Sequence, residues 1–248
     1  MKKLITALLA ITLAVSLSGC TRNVKNKKIT IDTFDATGQY TGEWKDGAPC
    51  GYGEFESEDE SLTYEGDWMD GLPNGYGECE NYDDGYGYYE GEWKNGKMHG
   101  DGTLFGKGTE DGIPYNLKYS GQFYRGKYQG TGNLEIEYKQ DGTVVYFRKY
   151  SGELKNGFAS GTGTLIEGSS EEYYKLTGSF LEGNPSGQLN YELYTNGQLE
   201  QTGIYENGKF KSSTGIIVDN ILDKTLGEYA HSEGFGDLYD ILSGIIFG

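Results

Sequence analysis

One fourteen-residue pattern recurs along this chain, and a chain built on a repeat must fold by stacking copies of one small unit. The clearest copy runs from Tyr89 to Gly102 as YEGEWKNGKMHGDG. Its companions are Tyr40 to Gly53 (YTGEWKDGAPCGYG), Tyr64 to Gly77 (YEGDWMDGLPNGYG), Tyr119 to Gly132 (YSGQFYRGKYQGTG) and Tyr150 to Gly163 (YSGELKNGFASGTG). A sixth, from Leu176 to Gly187, begins LTGSFLEGNPSG and places Gln188 and Leu189 where the last glycine should fall; a seventh survives as a fragment at Gly203 to Gly208. Successive first positions lie 24, 25, 30, 31 and 26 residues apart, so the connections between units vary in length.

The unit reads as a β-hairpin. In Tyr89, Gly91 and Trp93 large side chains alternate with Glu90 and Glu92, which places the rings on one sheet face with glycine between them. Asn95-Gly96 follows, matched by Asp46-Gly47, Asp70-Gly71, Asn156-Gly157 and Asn207-Gly208, dipeptides that accept the positive φ angles of a two-residue turn. Gly100, Gly102 and Leu104 then share one face of a returning strand, whose glycines leave room for packed rings. A second set of turn signals, Asp84-Gly85, Asp111-Gly112, Asp141-Gly142 and Asn196-Gly197, reverses the chain between units. Leu134, Ile136 and Tyr138 facing Val144, Tyr146 and Phe147 mark one elongated hairpin. The expectation is an all-β, elongated antiparallel meander of β-hairpin repeats, about 65 Å long at two strands per unit.

This pattern resembles the MORN ("membrane occupation and recognition nexus") repeat family, on the tyrosine, the aromatic and the four glycines at fixed offsets, across residues 36 to 210. The resemblance implies a scaffold for interactions, with catalysis, where such proteins have any, in a separate domain. The repeated rings Tyr40, Trp44, Tyr64, Trp68, Tyr89, Trp93, Tyr119, Phe123 and Tyr150 have two readings, a stacked core or an open aromatic groove that binds wall sugars. A direct lipid-binding role, suggested by the family name, is a further reading.

Residues 1 to 19 read as a signal peptide: Lys2 and Lys3 precede an apolar stretch from Leu4 to Val15 that is too short to span a bilayer. The stretch closes on Leu17, Ser18, Gly19 and Cys20, which resembles a lipobox, and that resemblance implies a diacylglyceryl thioether on Cys20. Two acyl chains suffice for stable anchoring; the bland alternative is an ordinary secretory signal with a chance cysteine. Residues 20 to 35 then form a tether in which Arg22, Lys25, Lys27 and Lys28 either lie along anionic lipid or act as a solvated spacer, with Ile29 and Ile31 alternating as a starting strand. Beyond the repeats, residues 211 to 248 read as a capping segment. Phe235, Leu238, Ile241, Leu242, Ile245 and Ile246 fall near helical spacing, giving a short C-terminal helix that covers the last hairpin or docks a partner.

Loss of Lys2 and Lys3 with the leader takes the formal charge from −17 to −19. So acidic a chain repels phosphate backbones and anionic headgroups, so no nucleic-acid partner is expected and broad contact with an acidic membrane is disfavoured. Cys50 sits in a turn-side slot shared with Asn74, His99, Gln129 and Ser160, whereas Cys79 takes a strand position shared with Phe55 and Leu104. That offset keeps the two apart, and Cys79 reads as a small core residue. Catalysis has little to draw on: His99 is turn filling, and His231 near Glu228, Ser232 and Glu233 has no second histidine beside it. The acidic runs Glu56 to Glu60 and Asp83-Asp84 lack the ligand spacing of a calcium loop. The expected function is therefore a noncatalytic scaffold without metal or cofactor, held on the exported face of the cell membrane through Cys20 and bound to an envelope protein.

Overall fold

The computed structural model describes residues 19–82, 86–110, 112–207, 209–213 and 217–218. They form one sixteen-stranded sheet whose strands lie in the order in which they occur in the chain, every neighbouring pair antiparallel. The meander is the expected one. Type-defining positive φ values fall at Asp46-Gly47, Asp70-Gly71, Asn95-Gly96, Asp141-Gly142, Asn156-Gly157 and Asn196-Gly197, and also at Arg125-Gly126 and Glu182-Gly183, where the first residue is not a usual turn former.

Why the unit needs tyrosine and glycine together is visible at each returning strand. The rings of Tyr40, Tyr64, Tyr89, Tyr119 and Tyr150 lie across Gly53, Gly77, Gly102, Gly132 and Gly163, and a Cβ on any of these glycines would run into the ring. Each tyrosine hydroxyl donates to the backbone carbonyl three residues on, from Tyr40 to Glu43 at 2.7 Å through Tyr150 to Glu153 at 2.8 Å. Tyr64 and Tyr89 each also meet two other rings edge-on. Tyr64 lies 5.0 Å from Trp68 of its own hairpin and 5.3 Å from Trp93 of the next, and Tyr89 lies 5.1 Å from both Trp93 and Phe123. The result is a spine of T-shaped pairs running across the sheet, the arrangement that aromatic quadrupoles favour. Trp68 and Trp93 fasten it by donating their indole N–H groups to the carbonyls of Gly53 and Gly77 in the preceding unit, at 3.0 and 3.1 Å. Trp44, in the first unit, has no such unit before it, and its indole nitrogen is buried without a partner.

The strands kink where the first glycine meets the turn half of the unit. Register shifts occur at Gly42/Trp44, Gly66/Trp68, Gly91/Glu92, Gly121/Gln122 and Gly152/Leu154. A bulge leaves a backbone N–H without a ladder partner, and the polar residue between glycine and aromatic supplies one. Glu43 accepts from Tyr52 N at 3.1 Å, Asp67 from Tyr76 N at 3.0 Å, Glu92 from Asp101 N at 3.3 Å, Gln122 from Thr131 N at 3.4 Å and Glu153 from Thr162 N at 2.9 Å. These side chains are clamps of the repeat rather than free surface groups.

The sheet extends beyond the repeats at both ends. The basic stretch expected as a tether is strand β1 (Arg22–Ile31), paired with β2 (Ala36–Lys45). Lys27 lies over the Trp44 ring at 4.8 Å. The remaining basic residues and the bulge near Asn26 fit an edge strand that discourages further pairing. Between β1 and β2 a 3-10 turn (Asp32–Phe34) folds over the aromatic face and sets Phe34 5.6 Å from Trp93. At the other end β14 (Gln198–Glu206), β15 (Lys209–Ser212) and β16 (Ile217–Val218) continue the meander, with Tyr191 and Phe210, 5.0 Å apart, prolonging the spine. The expected C-terminal helix around Phe235 to Ile246 lies outside the described residues. In the long hairpin of β9 (Lys127–Gln140) and β10 (Thr143–Lys155), Tyr138 pairs with Tyr146 as expected, but the register shifts between Val144 and Tyr146. Phe147 therefore turns away from the core and meets Tyr173 at 5.9 Å.

Candidate interaction surface

The nine repeated rings are core. Tyr40, Trp44, Tyr64, Trp68, Tyr89, Trp93, Tyr119, Phe123 and Tyr150 are all at most 3% exposed, so none presents a face on which a sugar could stack. The groove reading of these residues is thereby corrected: the glycines that seemed to open space between rings are filled by them.

The opposite face carries the accessible chemistry. One row of side chains crosses it, read through successive pairings as Thr41, Glu54, Glu65, Glu78 and Glu90, then Thr103, Ser120, Asn133, Ser151, Thr164, Thr177 and Asn190. Its first half places four carboxylates directly opposite one another on β3 (Ala48–Ser57), β4 (Leu62–Met69), β5 (Leu72–Asn81) and β6 (Tyr86–Lys94). Like charges in that arrangement repel. Partial burial, then the charges of Glu90, Glu65 and Glu80, push the Glu78 carboxyl up, against a hydrogen bond from Tyr88 that lowers it. Tyrosines relieve part of the strain: Tyr52 donates to Glu65, and Tyr76 donates to Glu90 at 2.6 Å. Tyr52 and Tyr76 are themselves half exposed, and Tyr82 and Phe105 also present rings on this face. In the second half the adjoining row reads Lys118, Glu135, Lys149, Ile166, Lys175 and Glu192, with Lys149 paired to Glu135 and Lys175 to Glu192 at 3.2 Å. A shallow depression of about 380 Å³ lies there among Lys118, Asn133, Lys149 and Ser151.

The two long edges differ in charge. Because strands alternate in direction, the turns at Asp46-Gly47, Asp70-Gly71, Asn95-Gly96, Arg125-Gly126, Asn156-Gly157 and Glu182-Gly183, and the one between β14 and β15, share one edge. Their described residues carry Lys45, Lys94, Lys97, Arg125, Lys127, Lys155 and Lys209 against Asp46, Asp70, Glu182 and Glu206. The opposite edge carries Glu58, Asp59, Glu60, Glu110, Asp141 and Glu171 in its described turns, and no cation. There Asp59 accepts hydrogen bonds from Ser57 and from the Ser61 amide and hydroxyl, which lower its carboxyl to about 2.

Cys20 lies at the basic edge, since the first residues of β1 pair with the end of β2 and Thr21 N donates to Trp44 O. Its sulfur is joined to that of Cys50, with Cα atoms 6.2 Å apart. This pairing was missing from the sequence reading, which reserved the Cys20 sulfur for lipid; a sulfur in a disulfide holds no thioether. Cys79 is free and buried as expected, and desolvation pushes its thiol up to about 12. Two of the turn-side residues prove to be caps: Asn74 and Gln129 accept from the backbone N–H groups of Asn95 and Asn156 in the next turn. His99 instead faces Tyr124, with ring centres 5.3 Å apart, and His231 lies outside the described residues.

A buried polar group with no signature in the repeat pattern closes the core beside the long hairpin. Glu167, 4% exposed, accepts from Tyr146 and Tyr174 and from Arg148, at 2.9 Å through Nε. Its partners saturate it, so it is a structural plug rather than a reactive acid. Among the described residues no three His, Cys, Asp or Glu side chains are placed to hold a metal ion, and no helix is long and apolar enough to cross a membrane.

Comparison with known protein families matches residues 40–61, 64–86, 89–110, 119–135 and 150–166. Each of these five segments matches the MORN repeat family. The five MORN matches coincide with the five hairpins whose tyrosine lies over a glycine, and the diverged units around Leu176 and Gly203 extend the same sheet beyond them. Comparison with curated proteins gives no match. MORN repeats are interaction modules, generally noncatalytic, that engage proteins or membranes.

Proposed function

We propose that this chain is a noncatalytic scaffold at the cell envelope, anchored through lipid on Cys20 and binding an envelope protein by the polar face of its MORN sheet. The observation that carries this reading is the row Glu54, Glu65, Glu78 and Glu90 with the half-exposed Tyr52 and Tyr76 beside it. Four mutually repelling carboxylates on a rigid face cost stability in the free protein and gain it when a cationic surface neutralises them. A basic segment laid across the strands satisfies that row, with tyrosine faces available to its guanidinium groups. Lipid on Cys20 and the disulfide to Cys50 are exclusive uses of one sulfur, so in the anchored form Cys50 is a free thiol. Photo-crosslinkers installed at Tyr52 and Tyr76 in cells test the face: both should trap the same envelope protein, and trapping should fall when Glu65 and Glu78 become Gln. Crosslinks no different from those at Thr177, on the neutral half of the row, would rule this face out. Replacing Cys20 by Ala should move the chain into the soluble exported fraction; unchanged membrane retention would rule out the anchor.

A further inference from the structure

Three described turns pair Asn with Gly: Asn95-Gly96, Asn156-Gly157 and Asn196-Gly197. The dipeptide is the same in each, and so is its backbone, with the asparagine φ at 52, 54 and 50°. The surroundings differ. On the basic edge consecutive turns stack, so that Gly96 donates its N–H to Pro73 O at 2.8 Å and Gly157 to Tyr128 O at 3.0 Å, each in the returning strand of the hairpin before. Both glycines are buried, and Gly96 is covered by Thr33, whose side chain a Cβ on the glycine would strike. Asn196-Gly197 instead joins β13 (Asn184–Thr195) to β14 at the opposite edge. There the contact to the neighbouring turn falls on the asparagine amide, which donates to Glu171 O at 2.6 Å. Gly197 is exposed, a Cβ on it would meet nothing within 4 Å, and its N–H donates to no described group. That contrast decides reactivity. The side-chain carbonyl carbon of an asparagine lies one five-membered ring away from the next backbone nitrogen, and a glycine, without a side chain, lets that nitrogen approach. The nitrogen must first lose its proton and be free to move. An N–H that is buried and bonded to a carbonyl does neither.

We infer that Asn196 is a self-modification site, deamidating in the folded protein while the stacked turns hold Asn95 and Asn156 intact. The Gly197 nitrogen gives its proton to hydroxide and attacks Cγ of Asn196; a C–N bond forms, ammonia leaves, and water then opens the five-membered succinimide. Opening at one carbonyl gives aspartate. Opening at the other gives isoaspartate, whose main chain runs through the former side chain and is one methylene longer. Either product adds a carboxylate to the edge that already carries Asp141 and Glu171. Isoaspartate also lengthens a turn whose two residues are matched to the twist of its strands. The pairs beside it, Thr195 with Gln198 and Tyr194 with Leu199, already adjoin a register shift. The change therefore loosens the hairpin of β13 and β14, beyond the five matched repeats, and leaves theirs alone. To test this, the full chain is aged in mildly alkaline buffer, folded and in urea, and each asparagine is followed by peptide mass spectrometry, with isoaspartate distinguished from aspartate by fragmentation. In the folded chain Asn196 should convert at least about tenfold faster than Asn95 or Asn156, the factor that a backbone hydrogen bond near the top of its usual net range supplies. In urea the three should convert at similar rates. Equal rates in the folded chain, or no conversion at Asn196, would overturn the assignment, and so would a lead for Asn196 that persists in urea. The isoaspartate form should exchange amide hydrogens faster in β13 and β14 and at the parent rate in the hairpin of Tyr89. Asn196→Asp, which carries the charge without the added methylene, should exchange like the parent; faster exchange in that variant, or unchanged exchange in the isoaspartate form, would overturn the account of the loosened turn.

Discussion

Replacing Gly102 by Ala tests the packing rule on which the whole sheet depends. Gly102 has an ordinary extended backbone, so alanine there meets no conformational penalty; the added Cβ would instead lie 2.6 and 2.7 Å from Cε2 and Cζ of Tyr89 and closer still to its hydroxyl. That ring has nowhere to go. Tyr89 is fully buried, held edge-on between Trp93 and Phe123, and its hydroxyl donates to Glu92 O at 2.9 Å. Inserting a methyl group into such a site costs about 1–3 kcal/mol in forced displacement, and losing the hydroxyl bond adds about 1 kcal/mol. The expected loss is therefore about 2–4 kcal/mol, read from urea unfolding as a lower midpoint at unchanged slope. Tyr89→Leu shortens the colliding side chain, so Gly102→Ala combined with it should cost clearly less than the sum of the two alone. A loss below about 0.5 kcal/mol for Gly102→Ala, the range of surface changes, or strict additivity in the pair, would refute the account of why glycine and tyrosine recur together.

Glu167→Gln should cost about 3–5 kcal/mol, because it removes the buried carboxylate charge to which Arg148, Tyr146 and Tyr174 all donate; a denaturation midpoint like that of the parent would show the plug to be dispensable. Burial, then Glu153, raises Tyr150 to about 12, and burial raises Tyr64 and Tyr89 further, above an unfolded value near 10. The folded state therefore favours neutral phenols: their stabilisation is intact below about pH 10 and is lost as pH rises through the folded values. Phenolate absorbance should accordingly rise late and together with unfolding, and full tyrosine titration near pH 10 with the sheet intact would contradict the buried spine. Cys79 should resist alkylation at pH 8 until the sheet unfolds, given its buried, raised thiol; modification of the folded chain would place it outside the core.

The meander was legible because its signals are local. Tyr89, Gly91 and Trp93 declare a strand face by alternation, and Asn95-Gly96 declares a turn within two residues. Cys79 was legible as core through its place in the repeat. What the sequence hid depends on register. Glu54, Glu65, Glu78 and Glu90 are spaced 11, 13 and 12 residues apart and become one row only once the strand pairing sets which residue faces which. Nothing in the sequence pairs Glu43 or Asp67 with the amide each captures nine residues on, because that amide is freed only by a bulge at the neighbouring glycine. Glu167 and Arg148 lie 19 residues apart outside any repeated position, so no pattern joined them. β1 carries no repeat at all, and its basic composition resembled a tether. The repeated rings offered both core and groove because alternation assigns a face without saying whether anything covers it; here the rings cover one another.

The state of the Cys20 sulfur tests the central claim, a membrane-held MORN scaffold, most directly. Chain purified from membranes is alkylated under denaturing conditions without reductant, digested, and its cysteine peptides are weighed. The expected product is an amino-terminal peptide that begins at Cys20 and carries the mass of a diacylglyceryl thioether, with Cys50 recovered as an alkylated free thiol. A Cys20 peptide without lipid, linked by a disulfide to the Cys50 peptide as the two sulfurs are joined in the fold, would contradict it.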